Sequence, residues 1–250
     1  ISNACCVIRP ICAKFRLVNV SGYGTRVAES ALERYHQHMP LTDYLPADFL
    51  DLYEVHNYRH AAEVLATGCP AEFAELIDAL VKFRLTTADI LAKGGNESQI
   101  PKRLSSLFRP MGWFETRIHG DLVVTVETHT DDGTVKAETR LDDFMDGHKV
   151  DYVKNRVAFD LEWNSKDQTF DRDLYAFRAF HEAGVISAAV LLTRSENLNE
   201  VFKSLGVMPK YGASTTWMGK LLYRMRAGRN GGCPVLVLGI TPKLITDWPQ

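Results

Sequence analysis

Near Asp121 the spacing of apolar residues changes from three-and-four to two, and that switch limits what the chain can fold into. Before it, residues 27–39, 70–85 and 97–108 each carry an apolar stripe of helical period. In the second of these, Pro70 suits a first helical turn, and Phe73, Leu76, Ile77 and Leu80 form the stripe. Gly94-Gly95 then marks an expected boundary. Residues 1–93 form a helical N-terminal region, separate or part of the same domain, and residues 94–250 form the core.

Beyond Asp121 the pattern is that of strands. Residues 122–128 and 134–140 flank Asp131-Asp132-Gly133, a turn signal, so a hairpin is predicted there. A second strand pair, 149–153 and 157–163, is joined by Lys154-Asn155-Arg156. A helix over 170–183 follows, with Thr169 or Asp171 as its cap and Gly184 at its end. Residues 185–193 and 234–241 are continuous apolar runs of the kind found in strands buried on both faces. Helices are predicted between them at 198–205 and at 214–227. This order predicts an α/β fold, a mixed β-sheet flanked by helices, with a helical N-terminal part.

Composition narrows the function. Of 250 residues, 46% are hydrophobic and 24% charged, the proportions of an ordinary globular protein. The five cysteines form no CxxC pair, which argues against a zinc site or a disulfide framework and suits a reducing cytoplasm. No apolar run approaches the ~20 residues that a membrane helix needs. The net charge of −2 argues against indiscriminate coating of nucleic acid. Yet residues 201–246 contain no Asp or Glu and seven Lys or Arg, Lys220 and Arg224 among them. A one-signed stretch suits an anionic partner such as a phosphate backbone, or is balanced by acids elsewhere in the fold.

The chemistry is concentrated in residues 148–164. A turn centred between Asn155 and Arg156 puts Asp151 opposite Asp160 and Lys149 opposite Glu162. Asp160 and Glu162 share one face because strand side chains alternate, while Tyr152, Phe159, Leu161 and Trp163 take the other. Three carboxylates on one face repel, by about 4 kcal/mol for two charges 4 Å apart at an effective dielectric of 20. Lys149 or a divalent metal can offset this, and oxygen donors without His or Cys point to Mg²⁺. A solvated strand face with a surface ion pair is the competing reading.

An acid, eight intervening residues, then acid-x-acid on the next strand, followed by strand-helix-strand, resembles the PD-(D/E)xK nuclease core. Residues 150–158, Asp160-Leu161-Glu162-Trp163, Gly112-Trp113-Phe114-Glu115 and the late Gly228-Arg229 and 234–240 segments resemble restriction endonucleases of the BglII/BstYI type. The resemblance covers roughly residues 94–241 and leaves the N-terminal third unmatched. It implies that Asp151 and Asp160 are metal ligands and that Glu162 takes the position of the motif's usual lysine. Related enzymes place Gln or Glu there. Lys149, predicted to face Glu162, would restore the positive charge. A further ligand from Asn96, Glu97 or Glu115 is also implied.

Expected DNA contacts are Lys102, Arg103 and Arg109 on the third helix, Asn164-Ser165-Lys166 after the acidic strand, and Lys220 and Arg224. Ser214 and Thr215, at the predicted start of a helix, could hold phosphate or touch a base edge; a plain helix cap is the simpler reading. His56-Asn57 and His60 lack the rest of an HNH motif, and Asp142, Asp143 and Asp146 are expected in a solvated loop. The resemblance implies a Mg²⁺-dependent type II restriction endonuclease of a bacterial or archaeal cytoplasm. It would cut double-stranded DNA as a homodimer at a short palindromic site. A repair or structure-specific nuclease, or a DNA-binding regulator that does not cut, are the alternatives.

Overall fold

The computed structural model describes residues 40–92 and 98–249, the side chain of Asp146 excepted. The expected helix over 27–39 and the candidates Asn96 and Glu97 lie outside these residues, as does the Gly94-Gly95 boundary. On both sides of that boundary, side chains share one hydrophobic cluster, Leu80 and Leu104 among them.

Six strands form one sheet among the described residues, in the order β1-β6-β5-β4-β3-β2. They are β1 (Tyr53–Tyr58), β2 (Phe114–Thr130), β3 (Gly133–Lys154), β4 (Val157–Glu162), β5 (Ala188–Arg194) and β6 (Val235–Ile240). The centre is parallel, β4 to β5 and β5 to β6, and every residue of these three strands is buried. That explains their unbroken apolar runs, since helices cover both faces.

One face is covered from the N-terminal side by α1 (Ala47–Leu52), α2 (Ala61–Gly68), α3 (Pro70–Lys82), α4 (Thr87–Leu91) and α5 (Gln99–Phe108). Phe73, Leu76 and Leu80 of α3 are buried there with Phe159 and Leu161 of β4. Burying each such side chain is worth about 1.5–3 kcal/mol. Phe108 of α5 stacks on Phe159 at 4.8 Å between ring centres. The helix α7 (Leu198–Ser204) adds Phe202 to the same layer. The other face is covered by α6 (Thr169–Glu182) and α8 (Met218–Arg226), whose Phe170, Phe177, Leu221 and Met225 pack on Ala158, Leu191 and Val237. Gly184 ends α6 with φ of 73°, as its position predicted. Neither Thr169 nor Asp171 caps that helix; Gln168 is the cap residue and makes no side-chain cap bond.

Three expectations need correction. Residues 53–58, placed in a helical region, are β1, an edge strand antiparallel to β6. Within and beside it, His56 Nε2 meets Glu54 Oε1 at 2.7 Å, and Asn57 receives the Ala62 N–H at 2.9 Å, so these polar residues are structural. The two predicted hairpins share a strand: β3 runs 22 residues, pairing with β2 over its length and with β4 at its end. Asp142 and Asp143 therefore lie within β3, exposed, rather than in a loop. Finally, the last helix begins at Met218, so Ser214 and Thr215 precede it, and Trp217 rather than a hydroxyl residue is its cap.

The outer part of the β2–β3 ribbon is amphipathic. Leu122, Val124 and Val126 lie opposite Leu141, Thr139 and Ala137 on one face, while Glu127 and Lys136 pair on the other. No described helix is long and apolar enough to cross a membrane.

Candidate active site

The hairpin register matches the sequence expectation: Tyr152 pairs with Phe159, Val153 with Ala158 and Lys154 with Val157. Asn155 takes the left-handed conformation in the turn, φ 47°, which asparagine tolerates. One residue beyond the last pair, the Asp151 N–H donates to Asp160 Oδ1 at 3.1 Å. Asp160 and Glu162 are each 5% exposed. Alternation along β4 aims them away from Phe159 and Leu161, toward the face that α6 covers.

β3 departs from a regular ladder at this point. Val153 pairs with Phe114 and Val150 with Thr116, so three steps on β3 oppose two on β2. Such a bulge re-aims side chains. Val150 is turned into the core under α6, and Asp151 is exposed at the edge of the acid pair. The β3–β4 pairing ends at Tyr152, so Lys149 has no paired position opposite Glu162. Lys149 Nζ instead holds Glu115 Oε1 at 2.7 Å, which corrects the expectation that Lys149 faces Glu162 and leaves Glu115 paired on the surface.

The structure adds two residues that the sequence reading missed, Arg172 and Asp173 in the first turns of α6. Asp173 is 1% exposed and lies on the buried stripe of α6 between Phe170 and Phe177. An acid at an apolar position of a buried stripe was the available signal. Arg172 donates to Asp173 Oδ1 from Nε at 3.1 Å and from Nη2 at 2.9 Å, and Nη2 lies 3.4 Å from Glu162 Oε1. Burial, with the neighbouring Glu162 carboxylate, pushes the Asp173 carboxyl up to about 8 despite Arg172. Burial, then the Asp151 and Asp173 charges, raises Asp160 well above the ordinary carboxylate range. Carboxyls this close to one another keep their protons more tightly, because one bonded guanidinium does not neutralise them all.

Two of these oxygens, Glu162 Oε2 and Asp173 Oδ2, are buried with no hydrogen-bond partner. Buried acceptors without partners are costly, and a hard cation satisfies them. The donor set is all carboxylate, so the residues present fit Mg²⁺ or a similar divalent ion in chemistry. As the side chains stand, no three His, Cys, Asp or Glu among the described residues are gathered to hold a metal. Asp151 at the edge and Glu162 under Arg172 are the ligand candidates that would have to move.

The expected DNA contacts are placed unevenly. Lys102 is exposed on α5, but Arg103 of the same helix is tied to Asp89 at 2.9 Å. Asn164 donates from Nδ2 to the Lys210 carbonyl at 3.3 Å, and its Oδ1 is buried without a partner. Ser214 is exposed, its carbonyl accepting from Asp167 N–H at 3.0 Å. Thr215 Oγ1 donates to the Gly212 carbonyl at 2.7 Å and receives Arg194 Nη2 at 2.6 Å. The acid-free stretch is balanced by acids on α6 and its leading loop. Lys220 lies 3.3 Å from Asp167, and Arg224 lies 3.0 Å from Asp171, which also pairs with Arg229. Arg224 is 7% exposed and braces α8 against α6 through Asp171.

A mixed sheet flanked by helices, whose central strand ends in two buried acids with a hairpin acid at their edge, is consistent with a restriction-endonuclease-like core. The family model of restriction endonuclease BglII/BglIII matches residues 53–240, the span from the first residue of β1 to the last of β6, and the chain belongs to that family. It is a type II restriction endonuclease, a site-specific deoxyribonuclease, and it binds DNA. No curated protein matches the sequence.

Proposed function

We propose that this enzyme hydrolyses phosphodiester bonds in both strands of a short palindromic site, as a homodimer, with Mg²⁺ held by Asp151, Asp160 and Glu162. The observation that carries the reading is the pair of buried acids two residues apart on β4, with unpartnered carboxylate oxygens beside them. When bound, the metal supplies a Lewis acid that neutralises charge on the phosphate and lowers the pKa of water. Asp160, fixed by the Asp151 N–H, is the rigid ligand. Glu162 orients the attacking water and can take its proton, and its backbone is fixed where Thr193 Oγ1 donates to the Glu162 carbonyl at 2.8 Å. Phosphates meet the site at the surface where Asn164, Ser214, Thr215 and Lys220 lie, with Lys102 on α5.

Two-fold symmetry supports the dimer, since it presents one site to each strand of a palindrome. The uncharged ribbon face, with Val124, Val126 and Val135 exposed, is an apolar surface of the kind that a partner covers.

Plasmid DNA incubated with the purified enzyme tests the reading. Mg²⁺ should give a defined banding pattern of full-length cuts, and chelator should give none. Intact DNA in Mg²⁺, or equal cutting in chelator, would overturn it. Elution as a monomer, with and without DNA, would overturn the dimer.

A further inference from the structure

Arg172 stands in an unusual position for a simple surface cation. Its side chain is 63% exposed, yet Nε and Nη2 are both pinned by Asp173, which is almost wholly buried. Nη2 also reaches Glu162, while Nη1 bonds to no described residue. Glu162 occupies the place of the motif's lysine, so the acid cluster lacks that cation. Lys149 cannot supply it, because Glu115 holds it beyond the bulge. Lys220, Arg224 and Arg229 are held by Asp167 and Asp171. Among the described residues, Arg172 is thus the cation bonded to the site.

We propose that Arg172 contacts the scissile phosphate, gripping a non-bridging oxygen with its free edge while Asp173 anchors the other edge. The inference rests on the nuclease reading above. A guanidinium suits this use because its planar fork serves two acceptors at once. During hydrolysis the water oxygen bonds to phosphorus as the bond to the leaving sugar oxygen breaks. One proton passes to Glu162 and the leaving oxygen takes one from solvent. Arg172 transfers nothing; it stabilises the added negative charge on the equatorial oxygens. Asp173 is then a positioning residue, and its burial keeps the guanidinium in one place.

The competing role is a counter-ion for Asp173 alone, and three variants separate the two. Single-turnover plasmid cleavage in Mg²⁺ and DNA affinity in Ca²⁺ are measured for Arg172→Ala, Asp173→Asn and the double variant. The double variant removes both charges, so it retains the fold if the single arginine variant does not. Contact with phosphate predicts a rate loss of about 10²–10³-fold in Arg172→Ala and in the double variant. Asp173→Asn should lose less than either. Affinity in Ca²⁺ should change by no more than a few fold in all three. Near wild-type cutting by the double variant would reduce Arg172 to a counter-ion. Equal losses in Asp173→Asn and the double variant would assign the effect to Asp173. A wild-type enzyme that fails to cut in Mg²⁺ overturns the nuclease reading instead, so the two failures are distinct.

Discussion

Glu162 and Asp173 share one guanidinium: Arg172 Nη2 lies 2.9 Å from Asp173 Oδ1 and 3.4 Å from Glu162 Oε1. This joins the end of the central strand to the first turns of the helix beneath it. It also concentrates three carboxylates, with Asp160, around a single cation, and the first three predictions follow from that imbalance.

Asp160→Ala should abolish cleavage while DNA binding in Ca²⁺ buffer is kept. Near-normal cutting by that variant removes Asp160 from the site. Glu162→Lys recreates the usual motif, and it should still be inactive. Arg172 already occupies the space beside Glu162, and a second cation there would be repelled. Recovery of wild-type rate would show that the cluster tolerates either charge.

Metal should stabilise the wild type by mass action, about 2.7 kcal/mol at one hundred times Kd, or roughly 5–10 °C in Tm. Asp160→Asn relieves repulsion without much change of volume, so in chelator it should be as stable as wild type or more so. Its Mg²⁺ shift should be much smaller. Equal shifts in the two proteins, read from thermal melts, would contradict Asp160 as a ligand.

Stability in chelator should fall with rising pH. The Asp173 carboxyl sits at about 8 in the folded protein against an ordinary 3.8, so the folded state keeps a proton that the unfolded chain releases. Its stabilising contribution is complete below about pH 4 and is lost as pH rises through about 8. Asp160, also raised, acts in the same direction. Between pH 5.5 and 8.5 the wild-type Tm should drop on the order of 5 °C, and Asp173→Asn should drop by distinctly less. Parallel curves would mean that Asp173 titrates normally.

Arg224→Ala should cost stability rather than DNA affinity, by about 1 kcal/mol, because it removes the buried guanidinium between Asp167 and Asp171 and leaves Asp171 to Arg229 alone. Lys220→Ala, at a half-exposed site, should weaken binding to all sequences and lower the slope of log affinity against log salt by about 1. A reduced slope in Arg224→Ala, with Tm unchanged, would reverse the two assignments.

Much of the core was legible in the sequence because its causes are local. The unbroken apolar runs identify β5 and β6. The helix-period stripe identifies α3, and the turn residues fix the β3–β4 register. Alternation of two then places Asp160 and Glu162 together on one face, whatever the rest of the chain does.

What the sequence by itself determined, then, is the buried stripe of α3, the buried runs of β5 and β6, and the pairing across Asn155-Arg156. Tertiary structure alone decided the partners. Residues 53–58 became a strand because β6 offers an open edge, not because their own pattern is distinctive. The bulge opposite Phe114 and Thr116 is a mismatch between two strands, invisible in either one, and it turned Lys149 toward Glu115. Arg172 and Asp173 joined the site because α6 packs back across the end of β4. The acids that balance Lys220 and Arg224 come from Asp167 and Asp171, far away in the chain. Local spacing sets which face a side chain takes, whereas the charge it meets there is set by elements that only folding brings together.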